Sequence, residues 1–390
     1  MLVERLRLVN FRNYARLDIS LPGGIVLLYG QNAQGKTNFL EAIYLLATTK
    51  SFRATADREL IHWLAFSQDF PIARVSAQVS RRTAGPLNIE IIIAPQSGAE
   101  ATGATVKRIK VNGVVRRAVD LVGQLRVVLF TPADIELVAG SPQARRRYLD
   151  ITNSQVDPKY LRTLQVYNRI LAQRNALLRQ VRERRASAES LAVWEDGLVE
   201  SAAYIILRRA RTVAALNDHV RLIHPRLTGR QEHLRIEYVP ELAGLAKPPE
   251  LPQAEAELVD LLRRALRRVG PREVALGMSL VGPHRDDLKF YLNGADTNLY
   301  GSRGQQRTVA LSLKLAEAEF MRAETGEWPV LLLDDILSEL DAERRRHVLG
   351  GLLEADQLLI TATDLADFPP EFLGRAARFR VEAGQLTREA

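Results

Sequence analysis

The sequence has no cysteine among its 390 residues, which excludes disulfide staples, a thiol nucleophile and a thiolate-held metal. Its six histidines, His62, His219, His224, His233, His284 and His347, fall at no paired spacing suited to zinc. No apolar run reaches the roughly 18 residues that a membrane-crossing helix needs, and the opening Met1-Leu-Val-Glu-Arg-Leu-Arg lacks the apolar core of a secretory signal. A cytoplasmic protein with no membrane partner is expected. Lysine is scarce as well: 8 of the 54 basic residues, so arginine, the better bidentate phosphate ligand, dominates. The formal charge of +8 and the pI of about 9.8 favour an anionic macromolecular partner over an acidic metabolite. With 46% hydrophobic residues the chain is long enough for two or three domains and an ample core.

What the sequence does contain is concentrated in "LLYGQNAQGKTNFLEAIYLL", residues 27–46. The spacing Gly30-x-x-x-x-Gly35-Lys36-Thr37 is that of a phosphate-binding loop, whose backbone N–H groups face the phosphates while glycines permit the turns. The apolar run Ile25 to Tyr29 predicts a buried strand before it, and Thr37 to Leu46 a helix whose positive end faces the anion. Lys36 would reach the β- and γ-phosphates of ATP, and the Thr37 hydroxyl would ligate Mg²⁺. Gln31, Asn32, Ala33, Gln34 and Asn38 complete the expected cradle.

Around the loop the chain opens β-rich. "LVERLRLV", "ARLDISL" and "GIVLLYG" predict strands, and more are expected at Ala73–Val79, Leu87–Ala94, Val106–Val111 and Val127–Phe130, with "APQSGAEATGATVK" as a hairpin or loop. From Lys159 to Arg185 there is no Gly or Pro, and Leu164, Leu171 and Leu178 recur at intervals of seven, which suits one helix of a coiled coil. A second helix is expected over Leu191 to Ile223, and "VDLLRRALRRV" closes the helical region before Gly270-Pro271, with "HPRL" and "AKPPELPQ" as breakers. The fold class expected is α/β, with a helical insertion. Residues 1–153 and 271–390 would form the two parts of one domain, and 154–270 a helical arm.

The second half supplies the rest of a nucleotide site. "PVLLLDD" is an apolar strand ending in two carboxylates; Asp334 is the candidate on the Mg²⁺ side and Asp335 the candidate to polarise the attacking water. "YGSRGQQRTVALSLKLAEAEF" places Ser302, Arg303, Gly304 and Gln305 at the start of a long amphipathic helix, where N–H groups can cap a phosphate or the serine can simply cap its own helix. "SELDAERR" follows the Asp pair.

Loop, Ser-x-Gly-Gln helix, Asp-Asp strand and Ser-x-Leu-Asp turn together resemble ATP-binding-cassette ATPases. In that class two heads sandwich two ATP molecules, and the serine-glycine helix of one covers the γ-phosphate on the other. The stretches "LRLVNFRNYARLDI", "GQNAQGKTNFLEAIYLL", "TTKSFRA", "TPADIELVAGSPQARRRYLD", "GPHRDDLKFYLNG" and "GSRGQQRTVALSLKLAEAE", spread over nearly the whole chain, resemble the RecF family of bacterial recombination mediators, heads of the chromosome-maintenance type with a short arm. The resemblance implies an ATP-binding-cassette head with a coiled-coil arm inserted in the chain. It makes Gly30, Asn32, Gly35, Lys36 and Thr37 the phosphate cradle, Asp334 and Asp335 the Mg²⁺ and hydrolysis carboxylates, Ser302, Gly304 and Gln305 the signature acting in trans, and Asp341 the linking turn. Arg12 and Asn13 fall where related heads place nucleotide contacts, although "FRNY" also suits an ordinary turn. It further implies an ATP-dependent homodimer, a slow DNA-stimulated ATPase, and a role in DNA replication, recombination and damage repair, including the SOS response. RecR would be a partner, with RecA loading and single-strand-binding protein nearby. Two positions depart from the cassette pattern: Thr131 stands where a Gln is usual and Thr361 to Thr363 where a His is usual, which leaves the γ-phosphate sensor open among these residues.

Between Lys159 and Arg185 eight basic residues face one acidic, Glu183. A run on a helix is commonly a solvated face, but this imbalance points to phosphate-backbone contacts, with Arg179, Arg182 and Arg184 the candidates for duplex DNA or a single/double-strand junction. "GPHRDD" reads as a salt-bridged turn or a relay near the signature helix. The competing function is a cassette subunit of a transporter or a translation factor, which would need a membrane partner or a ribosome.

Overall fold

Alternation of apolar and charged side chains makes the first strand, and the place where it breaks gives the strand its shape. The computed structural model describes residues 1–67, 71–82, 84–96, 104–229, 232–242, 251–252 and 254–389. Strand β1 (Leu2–Phe11) buries Val3, Leu6 and Leu8. Glu4 and Arg5 are consecutive polar residues, and the register against the neighbouring strand β4 (Ala73–Ser80) shifts between Val3 and Arg5, a bulge that restores the inward phase after the doublet. With β2 (Tyr14–Ser20), β5 (Leu87–Pro95), β6 (Thr105–Val111) and β7 (Val114–Arg116) they form an antiparallel sheet in the order β2-β1-β4-β5-β6-β7. The expected "APQSGAEATGATVK" loop falls between β5 and β6; its residues 97–103 lie outside the described ones.

Four of the six strands of the second sheet are apolar on both faces, the mark of a buried parallel sheet. Its order is β15 (Gln385–Arg388), β14 (Ala376–Glu382), β3 (Gly24–Tyr29), β13 (Gln357–Ala362), β12 (Val330–Asp334) and β8 (Val127–Phe130). All pairs are parallel except β14 with β15. Helix α1 (Lys36–Thr48) shares one hydrophobic cluster with the inner faces of both sheets, Phe39, Leu40 and Ile43 among its contributions. The loop after β3 and the carboxylates after β12 therefore emerge at the same carboxyl edge, where open parallel sheets bind ligands.

The chain divides into two compact units. The first is Met1–Asp134 with Arg226–Thr228 and Leu311–Ala390, which holds both sheets, α2 (Ala118–Leu121), α10 (Ala342–Leu352) and α11 (Pro370–Leu373). The second is Ile135–Pro225 with Gly229–Ala310. It contains α3 (Glu136–Ala139), α4 (Pro142–Val156), α5 (Pro158–Arg182), nearly all of α6 (Ala192–Leu227), α7 (Glu255–Leu276), α8 (Thr297–Tyr300) and the sheet β11 (Ala295–Asp296), β10 (Asp287–Leu292), β9 (Leu234–Val239). Helix α9 (Arg303–Thr325) begins in the second unit and continues in the first.

Both boundaries drawn from composition fall inside helices: 153/154 lies in α4 and 270/271 in α7. Pro225 and Pro271 likewise sit within α6 and α7 rather than ending them. Past Pro271 the last turn of α7 is held by tertiary bonds, since Glu273 accepts from Arg174 at 2.6 Å and from the Leu280 amide at 2.7 Å, and Gly277 at φ 68° supplies the stop. Of "AKPPELPQ" only Leu251 and Pro252 are among the described residues.

The heptad spacing expected on α5 is present as a seam packed on the unit's own core, fuller than the leucines alone. Tyr160, Leu164, Tyr167, Leu171, Arg174 and Leu178 alternate by four and three, and all face the unit's core. Leucine spacing alone showed half of it, because two tyrosines and an arginine fill the other places. Arg174 is 2% exposed and pairs with Glu273 and with Ser279 Oγ at 2.7 Å. It belongs to the core and leaves the surface basic run one charge shorter.

"GPHRDD" is a salt-bridged turn set into the unit, with Arg285 exposed and Arg145 paired to Asp287 at 2.7 Å. Asp286 accepts from the Tyr238 hydroxyl and from the Glu241 amide at 2.9 Å, next to Arg209, which also reaches Asp150 at 2.7 Å and Pro283 O at 2.6 Å. His284 bonds Tyr167 at 2.6 Å. Burial pushes His284 down to about 4 and Asp286 up to about 6, the latter against the pull of Arg209. Between pH 6.5 and 4 the unfolded chain takes up a proton at His284 that the folded chain refuses, so this group costs stability on acidification; Asp286 acts in the opposite sense between pH 6 and 3.8. His284→Gln should therefore lower stability at pH 7, through the lost Tyr167 bond, yet lose less than the wild type as pH falls from 6.5 to 4. Parallel urea-unfolding curves across that range would show that His284 titrates normally.

Candidate nucleotide site

After Tyr29 the chain turns through residues 30–35 before α1 begins at Lys36. Gly30 has φ 147° and Gly35 φ 119°, and neither has room for a side chain: a Cβ would lie 2.4 Å from Val381 O at the first and 2.6 Å from Asn13 Nδ2 at the second. The first helical bond runs from Phe39 N to Gly35 O at 3.0 Å, so the N–H groups of Lys36, Thr37 and Asn38 have no acceptor in their own helix. They form the positive end that receives an anion. Asn32 and Ala33 are exposed at the tip of the loop, Ala33 with φ 65°.

Two hairpins brace this loop. From the first, Asn13 donates to Gln34 O at 2.8 Å and accepts from Asn38 Nδ2 at 2.8 Å, and the Tyr14 hydroxyl donates to Gly35 O at 2.9 Å. From the turn between β14 and β15, the Ala383 amide donates to Gln34 Oε1 at 2.6 Å and the Gly384 amide to Gln34 O at 3.1 Å. That second brace has no motif of its own, and sequence reasoning missed it. Arg12, expected beside the nucleotide, is held by the buried Glu41 of α1 at 2.7 and 2.8 Å and by Glu59 O at 3.0 Å.

Lys36 Nζ donates to Gly30 O at 2.6 Å and Gln31 O at 2.9 Å, an ammonium folded over the loop it would share with a phosphate. Burial lowers its pKa below the usual lysine value, and Asp335 and Asp334 oppose that shift. At the end of β12, Asp334 Oδ1 accepts from the Thr37 hydroxyl at 2.7 Å, which brings loop and Asp strand together. Burial raises Asp334 above the usual carboxylate range; the Thr37 and Thr361 hydroxyls and the charge of Arg53 act against it. Asp335 follows with φ 52°, its amide bonded to Thr361 Oγ1 at 2.9 Å and its carbonyl accepting from Ser338 at 2.8 Å. Free amides and an ammonium fit a polyphosphate, and a hydroxyl beside a carboxylate fits a hard cation such as Mg²⁺. Arg53 was another omission: it is exposed, 3.3 Å from Asn38 Oδ1, and its signal lay in the quoted "TTKSFRA".

The signature residues lie in the second unit and the loop in the first. Ser302 and Gln305 form a reciprocal capping box: the Ser302 amide donates to Gln305 Oε1 at 2.9 Å and the Gln305 amide to Ser302 Oγ at 3.2 Å. Gln305 also donates to Glu232 at 2.7 Å. Ser302, Arg303 and Gly304 are exposed, so capping the helix leaves them open to a partner. Asp341 caps α10 through the Arg344 amide at 2.8 Å. Among the other threonines, Thr131 starts a turn in which its amide donates to Asp134 at 2.7 Å, and Thr363 is exposed. Arg179, Arg182 and Arg184 are exposed at the end of α5, with Arg182 donating to Leu276 O at 3.3 Å. Arg264, Arg268 and Arg272, one turn apart on α7, are exposed too.

Among the described residues no helix is long and apolar enough to cross a membrane. A family model described as the RecF/RecN/SMC N terminal domain matches residues 2–367. The chain is 47% identical to the DNA replication and repair protein RecF of Chloroflexus aurantiacus over 99% of both chains, and 38% identical to that of Bacillus subtilis over 100% of both. Among solved structures it matches the recombination mediator protein RecF with ATPrS, of the RecFOR pathway, at a TM-score of 0.86 and 33% identity, covering 100% of this chain and 98% of that one. The Smc head domain from Pyrococcus furiosus, at 16% identity and a TM-score of 0.55 over 100% and 96% of the two chains, shares the fold.

Proposed function

This chain belongs to the RecF family and has the fold of an SMC-type ATPase head, and from that premise we propose that it is an ATP-gated DNA-binding protein of recombinational repair. The observation that carries the reading is the 2.7 Å bond between the Thr37 hydroxyl and Asp334, which joins the phosphate loop to the Asp strand at one sheet edge. The free amides at the start of α1 and Lys36 would hold the phosphates of ATP, Thr37 and Asp334 would hold Mg²⁺, and Asp335 would polarise the attacking water. Bound Mg²⁺ would supply neutralisation of charge on the phosphates. The exposed Ser302, Arg303 and Gly304 would cap the γ-phosphate held by a second copy, so that ATP closes a two-fold dimer and slow, DNA-stimulated hydrolysis opens it. RecR as partner and recombinase loading at single-strand gaps and stalled forks belong to the same proposal. Family membership displaces the transporter or translation-factor reading.

Asp335→Asn tests the hydrolytic part. Asn tolerates a left-handed backbone such as the φ of 52° here, so the exchange removes charge and little else. ATP should still bind, with turnover lower by roughly 100-fold, the scale set by removing one electrostatic group from an active site. Wild-type turnover would move the role elsewhere.

For DNA, affinity should fall steeply with salt, because each neutralised phosphate releases counterions. Reversing Arg179, Arg182 and Arg184 to Glu should weaken binding and flatten the salt slope by about one unit per lost phosphate contact. Unaltered binding and slope would make the end of α5 a structural or protein-binding projection.

A further inference from the structure

We propose that the Thr361 hydroxyl is the positioning group for both carboxylates of the nucleotide site; the inference rests on the ATP-binding reading above. In the second sheet β13 lies between β3, which leads into the phosphate loop, and β12, which leads into the Asp pair. Thr361 is the register partner of Asp334 on one side and of Leu28 on the other, and is 2% exposed. Its hydroxyl lies 2.9 Å from Asp334 Oδ1 and 2.9 Å from the Asp335 amide.

A hydroxyl has one proton to give and lone pairs to receive. The Asp335 N–H can only donate, so Thr361 accepts there; of the two acceptors near its proton, Asp334 Oδ1 at 2.9 Å and Leu333 O at 3.4 Å, the nearer and charged carboxylate takes it. One buried side chain thereby fixes the orientation of Asp334, whose Oδ1 is shared with Thr37, and anchors the backbone of Asp335 in a left-handed conformation that non-glycine residues seldom adopt. The proton that a phosphate sensor would offer is already committed to Asp334. Thr361 thus acts through the carboxylates and not on the nucleotide, unlike the sensor that its place in the sequence suggested.

The consequence separates two quantities. Without the hydroxyl, Asp334 loses a donor and the Asp335 amide loses its acceptor, while the phosphate loop is untouched. Binding of ATPγS to the full chain, measured by calorimetry in Mg²⁺ and in EDTA, reads the two apart. Thr361→Val should bind as the wild type does in EDTA and lose roughly 10- to 100-fold of the gain that Mg²⁺ gives, the usual cost of removing a group that orients a ligand. Thr361→Ala, which cannot overpack the site, should show the same loss, and Thr361→Ser should restore most of the gain. A full Mg²⁺ gain in Thr361→Val and Thr361→Ala would overturn the proposal, as would an equal loss in EDTA by both, which would mean direct nucleotide contact. If the wild-type chain binds no nucleotide in either medium, the ATP reading itself fails and takes this assignment with it.

Discussion

Ser302→Arg should bind ATP as the wild type does and stay monomeric at ATP concentrations that dimerise the wild type. Its own phosphate loop is in the other compact unit and unaltered, whereas the exposed serine it replaces is the proposed cap on the partner's γ-phosphate. The exchange also breaks the capping box with Gln305, which costs about 0.5–2 kcal/mol of local stability. Ser302→Asp separates the two effects. Aspartate caps a helix as well as serine does, but it faces the γ-phosphate with like charge, and such a juxtaposition costs several kcal/mol, so dimer affinity should drop roughly 100-fold or more. Mixing Ser302→Arg with Lys36→Met should restore one composite site, made from the intact loop of the first and the intact cap of the second, with weak heterodimerisation and partial hydrolysis. Dimerisation of Ser302→Arg and Ser302→Asp at wild-type ATP dependence would mean that the helix start is a cap and nothing more.

Lys36→Ala should lose roughly 10- to 100-fold in ATP affinity, because a hydrogen bond to a charged group is worth about 1.5–3 kcal/mol. In the free protein its ammonium is satisfied by Gly30 O and Gln31 O, so binding exchanges two neutral acceptors for anionic ones. The gain is a difference of bonds, which keeps the expected loss below that of a bare ion pair. Burial already depresses the lysine's pKa, and a phosphate would restore the pull towards the charged form. Calorimetric titration of the variant with ATPγS checks this, and unchanged affinity would contradict the assignment of the loop.

Short-range patterns made most of the first unit legible. Glycine spacing, the strand before it and the helix after it located the phosphate loop, and the apolar run ending in Asp334 and Asp335 located the carboxylates. What escaped was set by tertiary contact. Gln34 is fixed by Ala383 and Gly384, some 350 residues on, and Thr361 reaches Asp334 because parallel strands bring them into register. Arg12 was expected beside the nucleotide, and its ion pair with Glu41 was not legible because it arises only when α1 packs beside the first hairpin. In the second unit, Arg174 counted as surface charge until Glu273 neutralised it within the core. Gly270-Pro271 is a strong breaker in isolation, but bonds from beyond the helix hold its last turn.

The central claim, an ATP-gated dimer, is tested most directly by the mass of the wild-type chain in solution by light scattering as nucleotide is added. With Mg²⁺ alone the account predicts the 43.6 kDa of a single chain, with ATPγS twice that value, and with ADP a return to the single chain. A mass of one chain at saturating ATPγS, or of two chains without nucleotide, would contradict it.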